Sequence, residues 1–382
     1  MQVADTLLVD HTHNFTNIAI CHIVNDVIPV LDTGMALLHR SNKKNWQLLT
    51  KFTIRQAFNL LKKNMPQKMR VSNCHEYNKF LQERGNIFYY VNDAIENWYE
   101  KGPKMAGGNY IYSDKVVILV HIITCLFRIG LRQTAGFIAG YLEQVRKNLQ
   151  VISYSQASRR LKKLNIKIND RRHDKNNTED IEIAIDSTGI SIYNNIPGHS
   201  KANGTDRKYR RYEQTRKLHV MLEIGSKKVI AAKYSGGVYS DHYGACDLIA
   251  RIDVKYNIST LYADRAYNRK KLYKLCDELD IKTRIPPQNN AVEHPKLDYM
   301  DERNSTIKLI KSYDEDGMKR WKKEINYGKR SYIESFFSRL KQTFGFSFRN
   351  KSEVNREREL LLKCYLLNKF TDIGMAKFEI AS

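Results

Sequence analysis

The 382-residue sequence predicts an α/β fold with a mixed sheet, preceded by an all-helical region. Apolar residues recur at helical spacing from about residue 74 to residue 165. After a polar, turn-rich stretch near Asp170, the pattern changes to short runs of strand-forming residues. These runs are paired locally at first and later alternate with helical segments, which is typical of a mixed sheet.

The changes of pattern predict three regions. Residues 1–65 form an unassigned N-terminal extension without a recognisable motif. Residues 66–170 form a helical region. Residues 171–382 form the α/β domain with its C-terminal helices.

In the helical region, EYNKFLQERGNIFYYVNDAIENWYEK predicts two helices with a turn at Gly85–Asn86. Residues 113–165 predict roughly three more, broken at Gly130 and at Val151–Ser153. The apolar stretch Val116 to Leu131 is interrupted by a histidine and an arginine. It is too short and too charged to span a bilayer, so it predicts a buried helix and no membrane partner.

In the α/β region, IEIAIDSTGISIY is a β-rich run, and four segments predict strands: KLHVMLEI, KKVIAAKYS, STLYADRAY and KTRIPP. Four segments predict helices: SDHYGACDLIARIDVKY, RKKLYKLCDELD, about Lys329 to Thr343, and Glu353 to Lys369.

The charge balance predicts a polyanionic partner. Lysine and arginine number 64 against 41 aspartate and glutamate, a net charge of +23. Each cation set against a phosphate releases a condensed counterion, which favours nucleic acid. A merely basic protein is the alternative.

The cysteines and the first residues predict where the protein resides. Its six cysteines are scattered, without a CxxC pair or zinc-ligand spacing, so we expect reduced thiols. The start, MQVADTLLVDHTHNF, lacks the basic and apolar segments of a signal peptide. We therefore expect a cytoplasmic, nucleoid-associated protein.

Two aspartates are predicted to end apolar strands: Asp186 after IEIAI and Asp264 after TLYA. Open α/β sheets bind ligands at this edge, and two carboxylates there repel each other unless cations neutralise them. Each also has a structural interpretation. Asp186 before Ser-Thr-Gly suits a turn, and Asp264 could cap a helix starting near Tyr267.

A third carboxylate lies on a predicted helix with a stripe of functional groups. At about 100° per residue, Arg330 falls about 40° from Glu334, and Tyr327 and Lys341 fall about 20° from it. Since Arg-Glu at this spacing is also an ordinary surface pair, a structural amphipathic helix is the alternative.

Two further basic segments are candidate DNA contacts. DRKYRRYEQTRK interleaves aromatic residues with cations that include Arg210, Arg211 and Lys217, although a solvated loop would look similar. SYSQASRRLKKL predicts a helix capped by Ser155 that carries Arg159 and Arg160. It could be the second helix of a helix-turn-helix, or simply a basic helix in a three-helix packing.

The stripe follows the spacing Tyr-x2-Arg-x3-Glu-x6-Lys, which resembles the signature around the catalytic glutamate of bacterial DDE transposases of the insertion-sequence-four and insertion-sequence-five families. IAIDSTGISIY and YADRAYN are similar to the strands that carry the two aspartates of these families. The likeness covers roughly residues 70 to 345. One departure is Ala266, where these families commonly have glycine.

The resemblance implies an RNase H-like fold, with the aspartates on adjacent strands and the glutamate on a later helix. It implies that Asp186, Asp264 and Glu334 are catalytic and hold two Mg²⁺ or Mn²⁺ ions, with Asp186 bridging them. Arg330 and Lys341 would hold phosphates, and Tyr327 would bond a phosphate or stack on a base.

The implied function is cleavage and strand transfer of DNA that carries terminal inverted repeats, by a homodimer in the DNA complex. The alternatives are a decayed transposase acting as a DNA-binding repressor, and an RNase H-like repair nuclease.

Overall fold

The computed structural model describes residues 69–102, 111–168, 180–192, 214–251, 257–313 and 316–380. The chain separates into two compact units, residues 1–72 with 378–382 and residues 73–377. In the first unit, the described residues form an antiparallel pair of strands, β1 (Met69–Val71) and β7 (Phe378–Ile380). The predicted extension, residues 1–65, lies outside the described residues. The three predicted regions stay a prediction.

The second unit begins with helices whose bounds confirm the predicted pattern: α1 (Cys74–Arg84), α2 (Phe88–Glu96), α3 (Asp114–Phe127), α4 (Leu131–Gln144) and α5 (Tyr154–Leu161). The predicted turn at Gly85–Asn86 separates α1 from α2. As expected for the apolar stretch, α3 is mostly buried. No helix among the described residues is long and apolar enough to cross a membrane.

The predicted cap of α5 is wrong by two residues. The N-cap is Ser153, whose Oγ accepts a hydrogen bond from the backbone N–H of Gln156 at 3.3 Å. Ser153 has extended backbone angles, which direct its side chain at the N–H groups of the first turn. Ser155 already lies inside that turn and so cannot cap it.

A five-stranded mixed sheet follows, in the order β4-β3-β2-β5-β6. Its strands are β2 (Asp180–Ser191), β3 (Thr215–Glu223), β4 (Val229–Gly236), β5 (Asn257–Tyr262) and β6 (Lys282–Arg284). The first three are antiparallel to one another, while β5 and β6 run parallel to β2. The predicted mixed sheet is therefore confirmed.

Helices cover both faces of this sheet: α6 (Asp241–Arg251), α7 (Lys270–Glu278), α10 (Ser331–Phe344) and α11 (Glu353–Ile373). Alternate residues of β2 point to opposite cores. Ile183 and Ile185 pack with the α6 and α7 side chains, and Ala184 packs with those of α10 and α11. A strand buried on both faces explains the continuous apolar run IEIAI.

Two helices between β6 and the last part of the chain were not predicted: α8 (Asp301–Ser312) and α9 (Gly317–Glu324). Their sequences, DERNSTIKLIKS and GMKRWKKE, contain few apolar residues. The apolar periodicity that marks an amphipathic helix is weak in both.

Candidate active site

Asp186 lies inside β2 and not at its end, so the predicted strand end is wrong. Residues 187–191 continue to pair with β3, with Ser187 opposite His219. On the other side, pairing with β5 stops at Ala184, opposite Tyr262. Asp186 therefore stands where β2 keeps its antiparallel neighbour and loses its parallel one, a position at which open sheets form a crevice.

Asp264 follows β5 by two residues and serves as a cap. Its Oδ1 accepts the backbone N–H of Ala266 at 2.7 Å, at the start of a 3-10 turn, Arg265–Tyr267. The capping interpretation is thus correct, yet Oδ2 is left for other contacts. Ala266 does not have a positive φ. This turn therefore does not require a glycine at position 266.

The predicted stripe is not carried by one continuous helix. Tyr327–Arg330 form a 3-10 turn, and α10 begins at Ser331. The turn is anchored to the sheet because Tyr327 Oη donates to the carbonyl oxygen of Ala263 at 2.8 Å. Lys329 Nζ pairs with the Glu182 carboxylate of β2. These two contacts place Arg330 beside the strand ends.

The guanidinium of Arg330 joins the three predicted catalytic carboxylates. Its Nη2 lies 2.9 Å from Asp186 Oδ2 and 4.0 Å from Asp264 Oδ2. Its Nη1 pairs with Glu334 Oε1, one helical turn along. The side chains of Arg330 and Asp186 are each 16% exposed, whereas that of Glu334 is 56% exposed. Asp186 thus lies in β2 and Asp264 just after the adjacent strand β5, with the glutamate on a later helix, as expected.

The site concentrates negative charge. The pKa of Asp186 is raised to about 6, mainly by burial and also by Asp264 and Glu334, against the opposing effects of the Ser187 N–H and Arg330. Charge of this kind favours a bound cation, and carboxylate oxygens are the ligands that Mg²⁺ prefers. The donor set therefore fits a hard divalent ion. In the described segments, no three His, Cys, Asp or Glu side chains lie close enough together to hold a metal.

Comparison with known families matches this region of the chain. A Transposase DDE domain model matches residues 177–369, and a second model of the same description matches residues 82–195. The first match alone spans more than half of the chain. This chain belongs to the DDE transposase family.

Several solved structures are similar to this DDE transposase at low identity. The piggyBac transposase synaptic complex with hairpin DNA is 9% identical over 77% of this chain and 74% of that chain, with a TM-score of 0.33. The pre-cleavage Mos1 transpososome is 12% identical over 73% and 84%, with a TM-score of 0.19. The catalytic core domain of BIV integrase is 14% identical over 41% and 97%, with a TM-score of 0.19.

Two other predicted DNA contacts of the transposase are the lysines Lys341 and Lys217. Lys341 is half-buried on α10, two turns after Glu334. Lys217 Nζ lies 2.9 Å from Asp241 Oδ1 and 3.0 Å from the carbonyl oxygen of Tyr239. The ammonium group of Lys217 thus already has partners within the protein.

The two arginines of the basic helix α5 differ in their exposure to solvent. Arg159 is exposed and lines an open cavity of about 360 Å³. Arg160 is buried; its Nη1 donates to the Tyr112 carbonyl oxygen at 2.5 Å, and its Nη2 pairs with Asp114 at 2.6 Å. Arg160 thus already has two partners within the protein, and its phosphate contact stays a prediction. Arg210 and Arg211 lie outside the described residues.

A polar network beside Asp186 was missed by sequence reasoning. Ser187 Oγ donates to Asp241 Oδ1 at 2.6 Å, and Lys217 pairs with the same oxygen. The Tyr267 side chain is 1% exposed and lies against this network. Asp186, Asp241 and Asp264 all contribute to raising the pKa of Tyr267, after burial. Only the position of Ser187 and Tyr267 near the two aspartates in the sequence could have indicated this.

Proposed function

We propose that this chain is a DNA transposase of the insertion-sequence-four/five type. It binds the terminal inverted repeats of a mobile element and catalyses metal-dependent cleavage and strand transfer. The observation that carries the proposal is the convergence of Asp186, Asp264 and Glu334 on Arg330. A purely structural ion pair needs one carboxylate, and three around one guanidinium exceed that requirement.

The three carboxylates would hold two Mg²⁺ or Mn²⁺ ions, which, when bound, activate the attacking oxygen and stabilise the leaving oxygen of the phosphodiester. Glu334 is the most exposed of the three and lies on α10, so it can change partners without disturbing the sheet. Arg330, which lies among the three carboxylates, would be the cation that meets the scissile phosphate. Its planar fork matches two phosphate oxygens.

The DNA would reach this site along basic surfaces. Lys341 on α10 and the exposed Arg159 on α5 are the described candidates, and Arg210 and Arg211 extend the set. We propose a homodimer in the DNA complex, acting on the inverted repeats and on target DNA. The net charge of +23 supports a polyanionic partner such as DNA.

The proposal is tested by nicking and gel-shift assays on DNA that carries the element ends, with Mg²⁺ present. Asp186→Asn, Asp264→Asn and Glu334→Gln should each abolish nicking and leave end binding nearly intact. Glu324→Gln, a surface carboxylate of α9, is the matched control and should nick normally. Near-normal nicking by any of the three site variants would contradict the assignment.

Salt dependence tests the DNA partner independently. If about six to ten phosphates are contacted, affinity should fall by about 10³- to 10⁵-fold between about 50 and 200 mM salt. A nearly flat dependence would show that the basic excess serves another purpose.

A further inference from the structure

Two segments beside the candidate active site bring aromatic rings and cations together on the surface. We call them the 242–271 patch, which comprises His242, Tyr243, Arg269, Lys270 and Lys271. His242 and Tyr243 lie in the first turn of α6, and the three cations lie at the start of α7. None of these residues belongs to the site described above.

The rings of the patch form an accessible platform. The ring centroids of His242 and Tyr243 are 4.2 Å apart with an interplanar angle of 37°. Tyr243 is 43% exposed, and Lys271 Nζ lies 4.7 Å from its ring centroid. A flat ring that is half open to solvent and lies beside a cation suits stacking of a nucleobase.

The cations of the patch are not explained by the fold. Arg269, Lys270 and Lys271 are exposed, and none of them forms an ion pair within the described residues. Cations at a helix N-terminus oppose the helix dipole, and the first turn of α7 has no acidic residue. Burial, then Arg269 and Lys271, lower the pKa of His242, and Asp241 raises it. An anionic partner would account for this arrangement.

The patch adjoins both catalytic aspartates. Asp241, next to His242, accepts the hydrogen bond of Ser187, which follows Asp186 in β2. Arg269 comes two residues after the turn that Asp264 caps, and its backbone N–H donates to the carbonyl oxygen of Tyr267 at 2.8 Å. A strand lying across the carboxylates would therefore meet the patch.

We propose that the 242–271 patch binds an unpaired stretch of a DNA strand beside the active site. One base would stack on Tyr243, and phosphates would meet Arg269, Lys270 and Lys271. The inference rests on the proposed function, which supplies DNA as the polyanion. Unpaired DNA is favoured over duplex because bases inside a duplex do not offer their faces to a ring, whereas single-strand sites combine basic residues with stacking aromatics.

The test measures binding of the full chain to a fluorescent oligothymidine of about 16 nucleotides, and to a random duplex of similar length. Tyr243→Ala should weaken oligothymidine binding by about ten- to a hundredfold, with duplex binding changed by less than about twofold. Tyr243→Phe should bind like the wild type. Lys271→Gln should reduce the slope of log affinity against log salt by about 0.7 for the single strand.

Tyr313→Ala is the matched control. Its ring lies under Arg320 at 4.4 Å, but that cation is paired with Glu324 at 3.1 Å, so oligothymidine binding should not change. The proposal would be overturned if Tyr243→Ala lost affinity for single strand and duplex equally, or if its binding were unchanged. It would also be overturned if the wild type did not bind oligothymidine. Because the readout is binding, a wild type that binds but does not nick would contradict the proposed function and leave the patch supported.

Discussion

Nη2 of Arg330 donates to Oδ2 of Asp186 over 2.9 Å, across 144 residues of sequence, where both side chains are largely shielded from water. Because Asp264 and Glu334 also face this guanidinium, Arg330 is the counter-charge of the whole site. It is therefore more than the surface partner of Glu334 that its spacing suggests.

Replacing Arg330 with glutamine should destabilise the metal-free protein. Three carboxylates would lose their shared cation, and loss of a charged, shielded partner costs about 1–3 kcal/mol. Thermal melts in EDTA measure this, and adding Mg²⁺ should narrow the difference from the wild type. Arg320→Gln, which breaks an exposed pair with Glu324, should cost about 0.5 kcal/mol or less. Equal effects of the two variants would argue against a shared counter-charge.

Arg330→Lys should keep much of that stability and still impair cleavage. Lysine retains the charge but cannot bond two oxygens in one plane. By analogy with loss of a preorganised donor, single-turnover cleavage of pre-bound DNA should slow by about 10²- to 10³-fold. Wild-type cleavage by this variant would mean that the fork has no part in the reaction.

Asp186→Asn should stabilise the metal-free protein at alkaline pH while abolishing cleavage. Burial raises the pKa of Asp186 from 3.8 to about 6, so the folded state disfavours the ionised carboxylate. The contribution of Asp186 to the free energy of unfolding is fully present below the pKa that this carboxyl has in the unfolded state. It is lost as pH rises through about 6, by up to about 3 kcal/mol. Urea unfolding across this range should show a gain for the variant at high pH that vanishes in acid. Asp264→Asn is the control, since its side chain is 39% exposed and should gain less.

Gly244→Ala should destabilise the protein by about 1–3 kcal/mol, because α6 packs closely on β3 here. A Cβ at position 244 would lie 2.3 Å from Nδ1 of the buried His219 ring. Gly140→Ala on α4, where nothing lies within 4 Å, should be neutral or stabilising. The destabilisation by Gly244→Ala should be smaller in a His219→Ala background. Thermal melts of the wild type, the two single variants and the double variant measure this, and additive losses of stability would mean that the contact is unimportant.

His219 should make the protein acid-sensitive. Burial lowers its pKa to about 4, with help from Lys217 and Lys233 and against Asp241. The neutral ring stabilises the folded state fully above pH 6.5, the pKa of histidine in the unfolded state. This contribution to the free energy of unfolding is lost as pH falls from 6.5 through about 4, by up to about 3 kcal/mol. His219→Gln should flatten the unfolding free energy over that range. If the pH dependence of the unfolding free energy is the same in the variant and the wild type, groups other than His219 cause the loss of stability in acid.

The sequence alone determined most of the elements and indicated the residues of the candidate site. Strands and long helices followed from apolar periodicity, since burial of one face or both imposes a period that local sequence displays. The pairing of Arg330 with Glu334 followed from their spacing. The polar helices α8 and α9 left no such pattern and were missed.

Only the tertiary structure decided what those residues do. It extended β2 beyond Asp186, because β3 offers partners through Ser191 whereas β5 ends earlier. It buried Arg160 against Asp114 while leaving Arg159, its neighbour in sequence, exposed. It also placed Arg330 among three carboxylates. Contacts between residues so distant in the chain depend on how strands register and how helices pack, and local spacing does not encode either.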